Sequence, residues 1–560
     1  MTSELNFRKG FQKFNDSELE NVGDRTINEN KSDINLEEDN EDVDGIMDEI
    51  GFTKYHLLVF TIAASILICG GVQESMLSFV VSFIGEREEL TEVHYAVITT
   101  SEYGGYILAS IMVNVITNNL SYKRAIQIFT ILNLTFTGIS ISHLNFYIAV
   151  CNRFIIGFCF GMIEILIYMN LVEISPTKIR GFVGSFILIF SPLGQLIISV
   201  SCYFNLPSNR EIEDINYRNL ILIPYLTMAI LLIALLPYLK ESVRRLIALD
   251  KLEEGAKVMK QISKSVNYSA VNKEEMIDRF LKKRIVYPTL ISHEDAENNP
   301  PNSIIINRID RLNALQESSK RDVNKKENLI VDSLQNNRTT PDYNSNKIFL
   351  HKFITFLNGK YKKFSIILSI SAILTNFIFH GTFFLLPTTA PKLNKSNFMD
   401  VIMSVSIEIA SALITSMIIE NKRVGRLRSL RLGFLFTLIT CIVCLVIRND
   451  YIIVNCTLKF FISIPTNVLI VYGSEIYESK IRTFGVSFLN FCKRSATIMS
   501  PFTVTYLEYK FGFKGPYYFF APACLICLYL SFLLDVETRG VPLDKIHLTK
   551  ENVTDIDVKK

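Results

Sequence analysis

Long apolar runs constrain this chain more than any other feature. Twelve of them lie near residues 55–82, 96–117, 125–142, 146–172, 182–204, 219–239, 364–386, 400–420, 431–447, 452–474, 484–507 and 517–535. Most are roughly 17–28 residues long, which at 1.5 Å rise per residue covers the ~30 Å hydrocarbon core of a bilayer. A backbone in hydrocarbon must satisfy its own hydrogen bonds, so each run is expected to be a helix. Charge is correspondingly scarce, at 20% of the 560 residues, and it is segregated into the first 50 residues, the stretch from about 240 to 362, short loops and the tail.

The net charge of +3 does not point to nucleic acid, because the basic residues cluster beside apolar runs. With the N-terminus inside, the inner short loops hold eleven Lys and Arg against eight in the outer ones. That bias predicts that both termini are cytoplasmic. Residues 1–52 are polar and acidic, so no cleaved leader is expected, and the first apolar run would begin insertion. Residues 33–49 hold nine acidic and no basic residues and are expected to be disordered. Residues 241–284 show amphipathic helical spacing through Leu246, Val258, Met259 and Ile262, and 288–346 read as a flexible insertion. The resulting division is an N-terminal tail at 1–52, six helices in 53–240, a cytoplasmic loop at 241–362, six helices in 363–536 and a tail at 537–560.

Ten cysteines all fall in or beside the apolar runs, two pairs with CxxC spacing, Cys441/Cys444 and Cys524/Cys527. A zinc site needs four ligands with a supporting shell, so packing as small hydrophobes is the better reading. No cofactor and no metal are expected. No nucleophile motif or phosphate loop supports an enzyme, and no repeated filter loop supports a channel.

The chain repeats itself. Glu173-Ile174-Ser175-Pro176-Thr177-Lys178-Ile179-Arg180 follows the fourth run. Glu475-Ile476-Tyr477-Glu478-Ser479-Lys480-Ile481-Arg482 follows the tenth. Both copies place Glu and Arg seven apart, and the copies are offset by 302 residues. Such repeats mark secondary transporters.

With these boxes the sequence resembles the sugar and organic-ion branch of the major facilitator superfamily. Further boxes agree in order: Arg153-Phe154 with Gly157 and Gly161, Glu241-Ser242-Val243-Arg244, Val424-Gly425-Arg426, and Glu537-Thr538-Arg539-Gly540. Ile50-Gly51-Phe52 and Phe379-His380-Gly381 with Leu385-Leu386-Pro387 look most like the synaptic-vesicle-protein-related transporters. The resemblance implies an all-α membrane protein, twelve transmembrane helices in two pseudo-symmetric six-helix bundles. One departure stands out. Where the family carries Asp-Arg-x-Gly-Arg-Arg between helices two and three, this chain reads Asn118-Asn119-Leu120-Ser121-Tyr122-Lys123-Arg124, without the acid or the glycine.

The resemblance also implies a cytoplasmic gate made by Glu173, Arg180, Glu241, Arg244, Arg426, Glu475 and Arg482. Charges within spans are costly and mark candidate function. Glu74, Glu102, Arg153, Glu164, Glu408, Lys493 and Arg494 are such charges. Arg153 and Glu164, eleven residues apart, share a helix face ~16 Å apart. Their functional reading is a polar stripe beside the substrate path, and the alternative is a packed face of paired charges. Arg494 could clamp a carboxylate in two-point fashion or pair with Glu74 or Glu408. Glu74 is the candidate for ion or proton coupling. Gln195, Asn376, His380, Asn467 and Tyr472 are polar at similar depth, as cavity lining or as ordinary packed residues.

The expected activity is secondary-active or facilitative transport of a small polar organic solute, an organic ion with anions favoured. A sugar uniporter or proton symporter is the first alternative, and a non-transporting sensor or scaffold the second. Expected partners are the solute, a proton as candidate co-substrate and the lipid bilayer, with the protein a monomer in the plasma membrane or an intracellular vesicle membrane. The absence of tryptophan counts against a hexose clamp built on that residue.

Overall fold

The computed structural model describes residues 43–88, 92–140, 145–205, 229–230, 232–248, 252–263, 361–384, 395–446, 451–477, 479–512 and 514–541. Every regular element among them is helical. A short helix α1 (Val43–Ile50) precedes the first half: α2 (Lys54–Glu88), α3 (Glu92–Asn119), α4 (Tyr122–Ile139), α5 (Phe146–Ile174), α6 (Arg180–Phe186) and α7 (Phe190–Asn205). Two amphipathic helices follow, α8 (Val243–Ala248) and α9 (Leu252–Ser263). The second half comprises α10 (Lys362–Phe384), α11 (Lys395–Ile419), α12 (Gly425–Val446), α13 (Tyr451–Glu475), α14 (Ser479–Phe511) and α15 (Gly515–Phe532).

Eight described helices are long and apolar enough to cross a membrane, α6 and α7 forming one of them. Between α6 and α7 the chain tightens into a single 3-10 turn at Ile187–Ile189. Pro192 lies just beyond; lacking an N–H, it cannot donate to the carbonyl four residues back, which favours a local tightening there. Most of the sixth apolar run and the 288–346 insertion lie outside the described residues.

Within the first half α3 and α4 pack on α5, and α7 packs on α2; within the second, α14 packs on α10, and α13 and α15 on α12. The halves meet along α3 against α14 and α7 against α11. Helix α5 has no distinct polar face, its few charges apart, and is buried along most of its length from Ile156 onward, as the central helix of a bundle must be. Its Gly157 is needed for close approach, because a Cβ there would strike the Glu102 carbonyl of α3. This is small-residue packing of two membrane helices.

Two sequence expectations are refined. Of the acidic run at 33–49, expected to be disordered, residues 33–42 lie outside the described residues and the part from Val43 is helical, as α1. Ile46, Met47 and Ile50 make an apolar stripe with one-turn spacing that is buried against the first half. Asp48 then accepts bonds from the Thr177 N–H (2.6 Å) and hydroxyl. The amphipathic segment expected over 241–284 is helical where it is described, as α8 and α9, with Leu246, Met259 and Ile262 buried, while 264–284 lie outside the described residues. Cys441, Cys444, Cys524 and Cys527 are buried as free thiols on the packed pair α12 and α15.

Candidate functional site

At one end of the bundle, here the motif end, the two Glu/Arg copies face each other. Glu173 is held by its neighbours: the Ser242 hydroxyl donates to its carboxylate, and Arg244 Nε donates to its backbone carbonyl at 3.0 Å. Arg482 from the second half approaches the same carboxylate at 3.9 Å. In the second half Arg426 grips Glu475 with two nitrogens, each at 3.2 Å, and reaches Glu420 at 3.1 Å. Thr538 donates to Glu475 at 2.6 Å. A buried charge is tolerable only when it is paired in this way.

The repeat extends to the closing boxes. Glu241 accepts the Tyr122 and Lys123 N–H groups at the start of α4 (2.9 and 3.1 Å). Glu537 accepts the Arg426 and Leu427 N–H groups at the start of α12 (2.9 and 3.1 Å). Each carboxylate caps the otherwise unpaired first turn of the third helix of its half. Gly425, with φ +67°, lets the chain turn beside Glu537, where a Cβ would meet a carboxylate oxygen at 2.8 Å. Close by the first-half box, burial, and secondarily Lys123, lowers the pKa of the Lys240 amine, which lies over the Tyr55 ring.

Of the seven expected gate residues, Glu173, Arg244 and Arg482 come together, as do Arg426 and Glu475. Glu241 instead pairs with Arg245 at 3.7 Å, and Arg180 is buried at the start of α6. The sequence reading missed Glu420. It crosses between the halves to accept the Phe182 N–H at 3.1 Å. A lone glutamate at a helix end carries no pattern that would single it out.

Deeper in the bundle a polar layer spans both halves. Glu74 of α2 accepts the Tyr103 hydroxyl at 3.3 Å and the Gln195 amide at 3.1 Å. Arg153 lies 3.6 Å from Glu102. Arg494 of α14 donates to Glu164 of α5 at 2.7 Å and stacks over the Tyr106 ring at 4.0 Å, so one guanidinium ties two first-half helices to the second half. The partner of Arg494 is therefore Glu164, rather than Glu74 or Glu408. Arg153 and Glu164, expected on one face of α5, have different partners, Glu102 of α3 and Arg494 of α14. Glu408 pairs with Lys459 at 3.2 Å, and Lys459 also donates to Ser404 at 2.7 Å.

His380 packs edge-on against Tyr103 across the halves, 6.3 Å between ring centroids. Asn376 donates to the Ala372 carbonyl one turn back, at 3.0 Å. Asn467 is half-buried on α13. Tyr472 is fully buried and bonds the Val536 carbonyl at 2.8 Å, which places it in the packing of the second half.

A cavity lies between the halves, on the motif side of the Glu164–Arg494 pair. It has an empty volume of about 820 Å³, open solvent at its mouth included. Its polar lining is Glu164, Tyr168, Asn376, Thr466, Asn490 and Lys493, set in aliphatic walls such as Leu67, Leu171, Leu368 and Leu469. Helices from both halves contribute, so any relative motion of the halves changes access to it. The arrangement offers hydrogen bonds and charge to a solute and no activated nucleophile.

The sequence matches the profile of the family described as "Sugar (and other) transporter" over residues 47–286 and 310–549. A sheep protein, solute carrier family 2 facilitated glucose transporter member 5, is 30% identical over 171 residues, 30% of this chain and 33% of its own length. A zebrafish putative transporter, SVOPL, is 33% identical over 85 residues, 15% of this chain and 16% of its own. This chain thus spans about a third or less of the length of these curated relatives. The proton:xylose symporter XylE bound to 6-bromo-6-deoxy-D-glucose superposes with a TM-score of 0.64 at 15% identity, covering 88% of this chain and 99% of that one. The inward-open xylose transporter XylE from E. coli gives 0.54 at 14% identity, covering 88% and 99%. At such identities the likeness establishes the fold, twelve transmembrane helices in two six-helix bundles. The chain belongs to the sugar (and other) transporter family and is a multi-pass membrane protein of the major facilitator fold.

Proposed function

We propose that this protein carries a small polar organic solute across a membrane by alternating access, the two halves rocking about the central cavity. The observation that carries the reading is that cavity, lined from both halves and lying between the Glu164–Arg494 pair and the motif-end Glu/Arg network. Binding between pseudo-symmetric halves near the midplane is how such carriers expose one site to each side in turn. The motif end faces the cytoplasm, with both termini there, following the Lys and Arg bias of the short loops. The protein acts as a monomer, in the plasma membrane or an intracellular vesicle membrane.

The solute is an organic ion, with an anion favoured. Lys493 lines the cavity and Arg494 pairs with Glu164, which also lines it, and a guanidinium or ammonium in low dielectric holds a carboxylate strongly. A sugar is the second reading, favoured by the family match and by the sugar named for the xylose symporter. Asn376, Asn490 and Thr466 would then supply hydroxyl partners. Glu74 is the proposed coupling group, a carboxylate held within the polar layer by Tyr103 and Gln195 and within electrostatic reach of Arg494.

Uptake into proteoliposomes, screened across carboxylates, sugars and amines, tests the reading. Saturable uptake of at least one class is expected, with Glu74→Gln abolishing its pH dependence. Retained pH dependence in Glu74→Gln would remove the coupling role and leave the transport reading intact.

A further inference from the structure

The loop between α3 and α4 lacks the acid and glycine that the family uses there, yet this corner is the one that joins α3 to α14. The structure shows what stands in their place. The Tyr122 side chain is 4% exposed, and its hydroxyl meets the Thr483 hydroxyl of α14 at 2.6 Å. One turn further into the membrane, Asn114 Nδ2 donates to Ser487 Oγ at 2.7 Å. Thr483 and Ser487 are four residues apart and therefore share a face of α14. Both contacts cross between the halves, and both are neutral.

Tyr122 is held from behind by Arg245. The last turn of α3 leaves backbone carbonyls without helical partners. The Arg245 guanidinium fills that position, donating to the Leu120 carbonyl at 3.0 Å and to the Thr117 carbonyl. A cation at a helix C-terminus is also the favourable sign for the helix dipole. The same guanidinium lies over the Tyr122 ring at 3.9 Å, and Glu241, 3.7 Å from Arg245, accepts the Tyr122 N–H. The phenol ring is thus fixed between a cation on its face and a capped backbone, and only its hydroxyl reaches across to the other half.

We infer that Tyr122, positioned by Arg245, is a neutral latch that closes the motif end of the α3–α14 seam in place of the family's charged loop. The inference rests on the alternating-access reading above. A hydroxyl pair is weaker than a buried ion pair, and each hydroxyl is rehydrated when the seam opens. The latch therefore biases the closed state modestly. The opposite seam, α6 with α11, carries charge in the Glu420 contact to Phe182, and beside Thr483 the Arg482 approach to Glu173 also crosses between the halves, so the neutral latch works next to a charged pair. Arg245 is a positioning residue that acts through Tyr122.

The test needs no solute. A cysteine placed in the cavity as Asn490→Cys is labelled with a membrane-impermeant maleimide applied to either face of sealed vesicles, and the extra label over the parent chain is followed in time. Tyr122→Phe and Thr483→Val should each speed labelling from the motif face roughly two- to tenfold, the range of one neutral hydrogen bond. The double variant should do no more than either single, because both remove the same contact. Arg245→Gln should speed labelling at least as much as Tyr122→Phe, and adding Tyr122→Phe to it should change nothing. Where Arg245→Gln fails to fold, the Tyr122–Thr483 cycle decides alone. An unchanged rate in Tyr122→Phe, or effects of Tyr122→Phe and Thr483→Val that multiply, would overturn the latch and leave alternating access standing. Equal labelling from both faces in every background would overturn both.

Discussion

The Glu164–Arg494 pair makes the sharpest demand on this account. Its nitrogen and oxygen are 2.7 Å apart, with side chains 27% and 13% exposed, and it joins α5 of one half to α14 of the other. Removing one member of a buried pair leaves an unpaired charge and costs about 3–5 kcal/mol. Partial access to the cavity lets water soften that penalty, so about 3 kcal/mol is the better figure for Glu164→Gln. At about 1.4 kcal/mol per tenfold, that shifts an equilibrium roughly a hundredfold. Tyr106, under the guanidinium at 4.0 Å, offers only partial compensation. Because the pair lies between the halves, the loss should fall on the balance of access states more than on the folding of either half. Glu164→Gln is therefore expected to cut initial uptake by well over tenfold at unchanged membrane abundance. Arg494→Gln in the same chain removes the stranded charge. If the pair only joins the halves, the double variant should recover most of the lost flux. If Arg494 holds the solute, as proposed for an anion, the double variant should stay inactive, while Glu164→Gln alone binds an anionic solute more tightly. A double variant with wild-type uptake and unchanged anion affinity would refute the substrate role of Arg494.

Other expectations follow from the same contacts. Glu475→Gln leaves the fully buried Arg426 with Glu420 and the Ile419 carbonyl and should lower thermal stability in detergent by several degrees, while loss of uptake without any stability change would contradict its placement. Gly157→Leu drives a side chain into the Glu102 carbonyl and should abolish folded protein, read as lost monodispersity on size exclusion; a well-folded variant would contradict the α3–α5 approach. Asp48→Ala removes both bonds to Thr177 and should expose α1 to limited proteolysis, whereas unchanged cleavage would show that its apolar stripe alone keeps α1 docked.

Much of the fold is legible in the sequence because a bilayer leaves the backbone no choice: a 20-residue apolar run there is a helix. The Glu/Arg repeat adds the two-half plan, since equal offsets at Glu173/Glu475 and Arg180/Arg482 require equal places in two equivalent bundles. Partner choice is a different matter. Arg494 could reach several acids at the same depth, and which one it meets depends on how α14 rotates against α5. That rotation is set by packing across the halves, which no local pattern records. Glu420 was missed because one glutamate at a helix end looks solvated until Arg426 and the Phe182 N–H converge on it. Conversely, the degraded loop at 118–124 was visible as a loss, while its replacement was not. In the sequence Tyr122 is an aromatic near a helix start and Arg245 a basic residue just after the 241–244 box, and neither position alone shows its partner. The short apolar stripe of α1, Ile46, Met47 and Ile50, is hidden in the sequence by the acids around it, whose charge alone favours a solvated chain.

The central claim is that one solute site alternates between two faces. Counterflow in proteoliposomes tests it most directly: vesicles preloaded with unlabelled solute are diluted into a trace of the labelled one. An alternating carrier should show a transient, saturable accumulation of label above equilibrium, driven by the outward return of empty and loaded sites. Uptake that never overshoots and never saturates, or no flux of any solute class by folded protein, would contradict the account.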